Sequence, residues 1–143
     1  MRRTLLLFAA AGLLVAADAP DDAAKKERDK MQGEWVMASG ERDGQKIPDE
    51  QAKTIRRTTK GDQFTITVDG QVVAKGTFKV DPTKKPKTID FLREGDEKIL
   101  GIYELDGDTY KACYSAPGKE RPTEFSAKAG GGNTLSVWKR EKK

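Results

Sequence analysis

The chain has 143 residues and carries 27 Lys and Arg against 23 Asp and Glu, giving a formal net charge of +4. It has no histidine and a single cysteine, Cys113, so Ser-His and Cys-His catalysis, an intrachain disulfide and a cysteine-based metal cluster are all excluded. The length fits one domain. Positively and negatively charged residues are mixed along the chain, which is typical of a solvated surface and not of a nucleic-acid-binding face.

Residues 1–17 predict a secretory signal peptide. Arg2 and Arg3 precede an apolar run over residues 5–15, and Val15, Ala16 and Ala17 are small residues that suit a signal peptidase. The apolar run is too short to span a bilayer, which needs about 20 residues. We expect cleavage after Ala17 and an exported product in the periplasm, the cell envelope or the medium. Losing two arginines lowers its net charge from +4 to +2. The paired arginines leave twin-arginine export open beside the general route, and a buried N-terminal helix is the alternative to a signal peptide.

Residues 18–32 predict a polar linker with a short helix over 23–31. Beyond Gly33 the helical period disappears, and short runs of β-branched and aromatic residues alternate with Gly, Pro and Asp turns. The predicted strands span residues 34–41, 54–60, 63–68, 71–80, 88–93, 98–105, 109–114 and 134–140, with a brief extended segment at 123–128. Alternate residues of the fourth strand are expected to share one face: Val72, Ala74, Gly76, Phe78 and Val80.

Two tight turns predict how four of these strands pair. Asp69-Gly70 is typical of a type I′ hairpin, whose central residues both need positive φ. Asp106-Gly107-Asp108 predicts a second hairpin, which we favour over a fragment of a calcium loop because no glutamate closes such a loop at the right spacing. About eight strands with mostly short connections predict an all-β fold, a single antiparallel up-and-down barrel over residues 33–143. A β-sandwich of the same strands is the alternative.

Ordered motifs across residues 31–140 carry a family resemblance. Gly33-Glu34-Trp35 opens the first strand like the Gly-x-Trp signature of lipocalins, and Arg140 or Lys139 ends the last strand where that fold places a cation across the barrel base from the tryptophan. The further motifs, in chain order, are ERDG (41–44), GTFKVDPTKKPK (76–87), LGIYELDGD (100–108), Cys113 and GKERPTEF (118–125). Together they resemble a lipocalin-like domain of unknown function that is abundant in exported proteins of planctomycete bacteria. The resemblance implies an exported barrel with a structural base of Gly33, Trp35 and Arg140, and it brings no catalytic residues.

The sequence contains no recognisable catalytic, cofactor-binding or metal-binding constellation, so we expect neither enzyme activity nor a cofactor. Cys113 is expected to be an inert structural thiol, with an intermolecular disulfide as the alternative. We expect a monomer without a nucleic-acid partner and, after signal cleavage, without a membrane span. A small apolar ligand or a protein partner is the remaining possibility.

Aromatic residues on nearly every predicted strand favour a barrel whose interior is mostly filled. If a cavity exists, eight in-phase residues are expected to form its wall: Trp35, Met37, Phe64, Ile66, Phe78, Phe91, Tyr103 and Tyr110. Such a wall suits a small apolar or amphipathic molecule better than a charged one, and Ala112 and Gly76 are the small residues that could leave space. The predicted function is binding of such a molecule outside the cytoplasm, and because the interior is expected to be mostly filled, this binding is expected to be weak or absent. A ligand-free structural or protein-interaction domain of the cell envelope is the alternative.

Overall fold

The computed structural model describes residues 22–141, so the predicted signal peptide lies outside the described residues. A helix over residues 22–30 (α1) precedes nine strands and a second, short helix, α2 (Asp49–Ala52). The strands are β1 (Gly33–Arg42), β2 (Gln45–Lys46), β3 (Ile55–Lys60), β4 (Gln63–Val68), β5 (Gln71–Asp81), β6 (Lys87–Arg93), β7 (Glu97–Asp106), β8 (Thr109–Tyr114) and β9 (Thr134–Arg140). The short helix predicted over residues 23–31 of the linker therefore lies close to its expected position.

Eight of the strands close into an antiparallel barrel. Neighbours pair in the order β1-β3-β4-β5-β6-β7-β8-β9, and β9 pairs back with β1, with Trp35 opposite Arg140 and Arg42 opposite Thr134. The two-residue strand β2 pairs with the end of β1 alone. The all-β barrel prediction is confirmed, and the β-sandwich alternative is excluded because the two ends of the sheet are joined by a ladder.

Tight turns give the barrel its up-and-down connectivity. Asp69 and Gly70 have φ of 52° and 80°, as both central residues of a type I′ turn require. Between β7 and β8, Gly107 takes a φ of 58°, so that hairpin also uses a left-handed residue. The connections after β3, β5 and β7 lie at one end of the barrel, and those after β4, β6 and β8 lie at the other.

Helix α1 lies across the first of these ends, which we call the closed end. Met31, just after the helix, is 2% exposed, and its carbonyl oxygen accepts a 2.9 Å hydrogen bond from Nε1 of Trp35. Gln32 exchanges two hydrogen bonds with the main chain of Gly61 in the β3–β4 turn. These contacts hold the linker against the first strands, so residues 22–32 are part of the folded domain.

Two β-bulges lie toward the opposite, open end. The β1–β9 pairing slips between Met37 and Ser39, so that inward-facing residues are odd-numbered before Ala38 and even-numbered after it. The β4–β5 pairing slips at Val73, where Ala74 faces Ile66 but Val72 faces Thr67.

The predicted common face of β5 is therefore wrong at its first residue. Phe78 and Val80 are buried, whereas Val72 is 57% exposed because the bulge turns it outward.

The long connection from β8 to β9 packs on the outside of the barrel. Ile102 and Cys113 are cross-strand partners on the outer face of β7 and β8, and both are buried. The Cys113 Sγ lies 3.4 Å from the carbonyl oxygen of Ser126, and Ala127 beside it is 2% exposed. Residues 123–128 form no strand: they cover this outer apolar patch as irregular chain, contrary to the brief extension predicted there.

Candidate functional site

A cavity of about 270 Å³ lies in the open half of the barrel. Its rim is formed by residues at strand ends: Arg42 ends β1, Arg93 ends β6 and Tyr114 ends β8. The remaining wall residues are Arg57, Phe64, Ile66, Val73, Ala74, Phe91, Ile99, Ala112, Ser136 and Trp138. Most of the wall is apolar, and among the described residues three arginines, but no acidic side chain, line it. The interior is thus packed in its closed half and hollow in its open half.

Arg57 is the unusual residue of this wall, because it is a charged side chain only 3% exposed inside the barrel. Its Nη1 donates a 2.9 Å hydrogen bond to the hydroxyl of Tyr110, and its Nε donates one of 3.2 Å to Oγ1 of Thr59. The third nitrogen, Nη2, is buried and has no hydrogen-bond partner among the described residues. The guanidinium is therefore fixed by two bonds and keeps one nitrogen free.

Aromatic rings surround the same guanidinium. Its carbon lies 4.9 Å from the ring centroid of Tyr110, 5.4 Å from that of Phe78, 5.5 Å from that of Phe91 and 5.7 Å from that of Phe64. Contacts of this kind are each worth about 0.5–2 kcal/mol, more when desolvated. They explain how the barrel tolerates an unpaired cation, and they fix its position against rigid rings.

Four other polar side chains of the wall, Arg42, Arg93, Ser136 and Trp138, have partners within the protein. Trp138 Nε1 donates to the hydroxyl of Ser136 at 3.0 Å, and Arg42 Nε donates to Thr134 at 3.0 Å. Arg93 forms a 3.0 Å ion pair with Glu97 on the next strand. Their partners hold Arg42 and Arg93 at the rim, so two further positive charges flank the cavity entrance.

Tyr114 also lies at the entrance. Burial raises the pKa of its hydroxyl, while Arg42 and other nearby cations act in the opposite direction. The side chain is therefore a neutral hydroxyl at ordinary pH. It can donate or accept a hydrogen bond at the cavity.

The eight residues predicted for a ligand wall divide between the cavity and the core. Phe64, Ile66 and Phe91 lie on the wall of the cavity. The other five belong to the packed interior and do not line it: Trp35, Met37, Phe78, Tyr103 and Tyr110. Both phenolic hydroxyls expected to face a ligand are engaged by charged groups instead, that of Tyr110 by Arg57 and that of Tyr103 by Glu27.

The two small residues expected to leave space behave differently. Ala112 lines the cavity and is 1% exposed, so its missing side-chain volume does contribute to the hollow. At Gly76 a Cβ atom would come within 2.0 Å of the carbonyl oxygen of Leu92. Gly76 therefore allows β5 and β6 to approach closely and leaves no usable room.

The residues proposed for the barrel base lie together at the closed end. Gly33 has a φ of 107°, which a residue with a side chain rarely adopts, and Trp35 is 1% exposed. The guanidinium of Arg140 lies 4.3 Å from the centroid of the Trp35 ring. Gly33, Trp35 and Arg140 thus form a structural cluster, on the far side of the packed core from the cavity.

A second polar cluster joins α1 to the barrel. Oε1 of Glu27, a residue 5% exposed, accepts hydrogen bonds from Lys87 Nζ at 2.8 Å and from the Tyr103 hydroxyl at 2.9 Å. Burial alone would raise the pKa of Glu27, but the bonds from Lys87 and Tyr103 outweigh it and hold that pKa below its usual value. Burial and the neighbouring Glu27 carboxylate raise the pKa of Tyr103. Every group of this cluster has a partner, so its role is to fasten the helix.

Cys113 lies on the outer face of β8, away from the cavity. It is fully buried and unpaired, and burial raises the pKa of its thiol. A buried thiol of raised pKa is a poor nucleophile. Among residues 22–141, no group of three or more Cys, Asp and Glu side chains is placed to hold a metal ion.

The sequence does indicate that Arg57 faces the interior, but only when β3 is considered as part of a closed barrel. Strand β3 reads IRRTTK and has no continuous apolar face, so alone it resembles a weak strand. In a closed barrel, however, every strand must present one face to the interior. Ile55 is in phase with Arg57 and Thr59, so that face is the more apolar of the two and puts Arg57 inside.

Comparison with known proteins adds no assignment. No protein-family model matches the sequence, and a search of curated proteins finds no significant relative. Within the described part of the chain, no helix has the length and apolar character needed to span a bilayer.

Proposed function

We propose that this protein is an exported, lipocalin-like binding protein that holds one small amphipathic molecule in the open half of its barrel. The observation that carries the proposal is the cavity of about 270 Å³ with a mostly apolar wall and a few polar groups. Small-molecule sites have this character, and an eight-stranded barrel is just wide enough to hold one small ligand. Export and membership of the lipocalin-like family rest on the N-terminal segment and on the motifs of residues 31–140.

The division of the barrel into two halves supports the proposal. In the closed half, Trp35, Phe78 and Tyr103 fill the interior, and helix α1 covers the end. In the open half, Ala112 on β8 stands where a larger side chain would fill the space. A liquid water molecule takes about 30 Å³, so the cavity has room for a ligand of roughly nine non-hydrogen atoms. That size fits a short or medium-chain amphiphile.

Binding of two simple probes, 1-octanol and octanoate, tests the proposal by isothermal titration calorimetry on the mature protein. We expect one molecule of at least one probe to bind per chain, and the melting temperature to rise with probe concentration because ligand binds the folded state alone. Native mass spectrometry of protein isolated from the exported fraction of a bacterial host should show a small molecule retained at the same stoichiometry.

A cavity-filling variant provides the control. Ala112→Phe places a ring inside the cavity and should abolish probe binding, whereas Thr77→Phe places the same ring on the exposed face of β5 and should leave binding unchanged. Absence of binding for both probes in the wild-type protein would overturn the proposal and favour a ligand-free structural or interaction domain. Equal binding by the wild-type protein and a folded Ala112→Phe variant would place the site elsewhere.

A further inference from the structure

Arg57 differs from the other cations of the described chain in how completely it is enclosed. The side chain is 3% exposed, two of its three nitrogens donate to Tyr110 and Thr59, and Nη2 is buried with no partner among residues 22–141. Arg57 is one of the residues that line the cavity, so this buried cation borders the proposed binding site.

An unpaired buried charge is an expensive feature. Removing a cation from water costs several kcal/mol even after the protein relaxes, and buried charges are normally paired. The four aromatic rings and the two hydrogen bonds compensate for part of this cost. No carboxylate of residues 22–141 forms an ion pair with Arg57, so an anionic ligand could supply the counter-charge that these residues do not provide. The cavity beside Arg57 is where such a counter-ion would be held.

The charge around the entrance favours the same kind of ligand. Arg42 and Arg93 lie at the rim, and no acidic side chain of residues 22–141 lines the cavity. Glu97 neutralises Arg93 in part, through an ion pair at 3.0 Å. Arg42 has a hydroxyl partner, Thr134, and keeps its full charge. An approaching anion therefore meets a positive rim before it reaches the deeper Arg57.

We infer that the ligand is an amphipathic carboxylate, whose head group binds Arg57 while its apolar portion lies against Ile66, Phe91 and Ile99. The inference rests on the proposed function and names the ligand class for the same cavity. A carboxylate carries one charge, which matches the single buried guanidinium. A phosphate monoester carries nearly two, and its three oxygens would need more donors than one free nitrogen supplies. The apolar wall then stabilises a hydrocarbon portion of about six or seven carbons, because the carboxylate group takes about three of the roughly nine non-hydrogen atoms that fit in the cavity.

Octanoate, 1-octanol and octyl phosphate have the same eight-carbon chain length and differ in their head groups. Their affinities for the mature protein, measured by titration near pH 7, therefore show which head group the site prefers. A hydrogen bond to a charged group contributes enough to make octanoate bind about 10- to 100-fold more tightly than 1-octanol. Equal affinities for octanoate and 1-octanol would overturn the carboxylate assignment while leaving the proposed function intact. Tighter binding of octyl phosphate than of octanoate would also overturn it. Binding of none of the three would contradict the proposed function itself.

Two variants on the same strand locate the head group. Arg57→Met removes the buried charge and should lower the affinity for octanoate about 10- to 100-fold. The affinity for 1-octanol should change by less than about threefold. Arg56→Met removes the neighbouring charge on the outer face, where Arg56 pairs with Glu141, and should leave both affinities unchanged. An Arg57→Met protein that folds and still prefers octanoate would overturn the role of Arg57. If that variant does not fold, the comparison of probes on the wild-type protein still decides the ligand class.

Discussion

Arg140, on the last strand, and Trp35, on the first, are stacked at the closed end of the barrel, with the guanidinium 4.3 Å from the ring centroid. The same guanidinium donates hydrogen bonds of 2.6 Å to the carbonyl oxygens of Lys30, the last residue of α1, and of Gln32, two residues later. One side chain thus joins β1, β9 and the helix. Cations near a helix C-terminus also interact favourably with its exposed carbonyls.

Trp35→Ala should therefore be among the most destabilising single changes in the domain. The ring is 1% exposed and its Nε1 donates to Met31, so truncation removes a large buried aromatic and leaves a carbonyl without its donor. We expect a loss of about 3–5 kcal/mol in the free energy of unfolding. Urea denaturation followed by circular dichroism measures this loss. A variant that melts within a degree or two of the wild-type protein would show that Trp35 is not a core residue.

Arg140→Ala should cost less, about 1–2 kcal/mol, because the guanidinium is partly exposed and its contacts are a ring, two carbonyl groups and an exposed ion pair with Asp108 at 3.1 Å. Its neighbour Lys139 is exposed, so Lys139→Ala serves as the control and should be close to neutral. Proteolysis should also become faster within residues 22–32 in Arg140→Ala, since α1 loses its attachment to β9. Equal stability of the two variants would contradict the structural role of Arg140.

The barrel could be predicted from the sequence because most of its strands alternate cleanly and are joined by turns with clear Gly and Asp signals. Ile89 and Phe91 on β6, and Tyr110 and Ala112 on β8, face the interior as their period-two pattern indicates. The pattern fails where a bulge inserts one residue. Ala38 shifts the phase of β1 and so brings Arg42 to the cavity.

The candidate site was harder to predict for the same reason. Val73 shifts the phase of β5, so Val72 faces solvent although its spacing from Ala74 places it in the core. Arg57 lies on a strand without an apolar face, and its burial follows from barrel closure rather than from local sequence. The eight residues predicted to line a cavity are therefore the most apolar ones of their strands. Most of them pack against one another in the closed half of the barrel. A cavity lies where large apolar side chains are missing, and a search for apolar residues does not find it.

The stability of the closed end should depend on pH through Glu27. Its pKa is lowered in the folded protein, so the unfolded chain binds a proton more readily, and this contribution is complete above the usual carboxyl pKa of about 4.5. As the pH falls below that value and through the lowered pKa, the contribution is lost. Glu27→Gln should be less stable than wild type near pH 7, and the difference should shrink toward pH 3.

Urea midpoints measured across this pH range provide the test. Asp29→Asn, on the exposed face of the same helix, is the matched control and should follow the wild-type pH dependence. A constant difference between Glu27→Gln and wild type at every pH would show that the ionised carboxylate contributes nothing through its bonds to Lys87 and Tyr103.

Cys113 should react slowly with thiol reagents in the folded protein. The side chain is fully buried beneath residues 115–133, and burial raises the pKa of the thiol, so little thiolate is present at neutral pH. Ellman's reagent should label it completely in concentrated urea and only slowly in buffer. Rapid stoichiometric labelling of the native protein would show that the β8–β9 connection opens readily, and would revive a reactive role for this cysteine.

Arg57, a buried cation without a carboxylate partner among residues 22–141, should lower the stability of the barrel. Arg57→Met alone leaves the buried Tyr110 hydroxyl without its donor, which costs about 1–3 kcal/mol, whereas the double variant Arg57→Met/Tyr110→Phe removes both partners together. Replacing buried charged groups by apolar residues of similar volume is often neutral or stabilising. We therefore expect the double variant to be at least as stable as wild type in urea and more stable than Arg57→Met. Octanoate should raise the urea midpoint of the wild-type protein but not that of the double variant. A double variant less stable than wild type by more than about 2 kcal/mol would mean that the rings around Arg57 hold it for structural reasons.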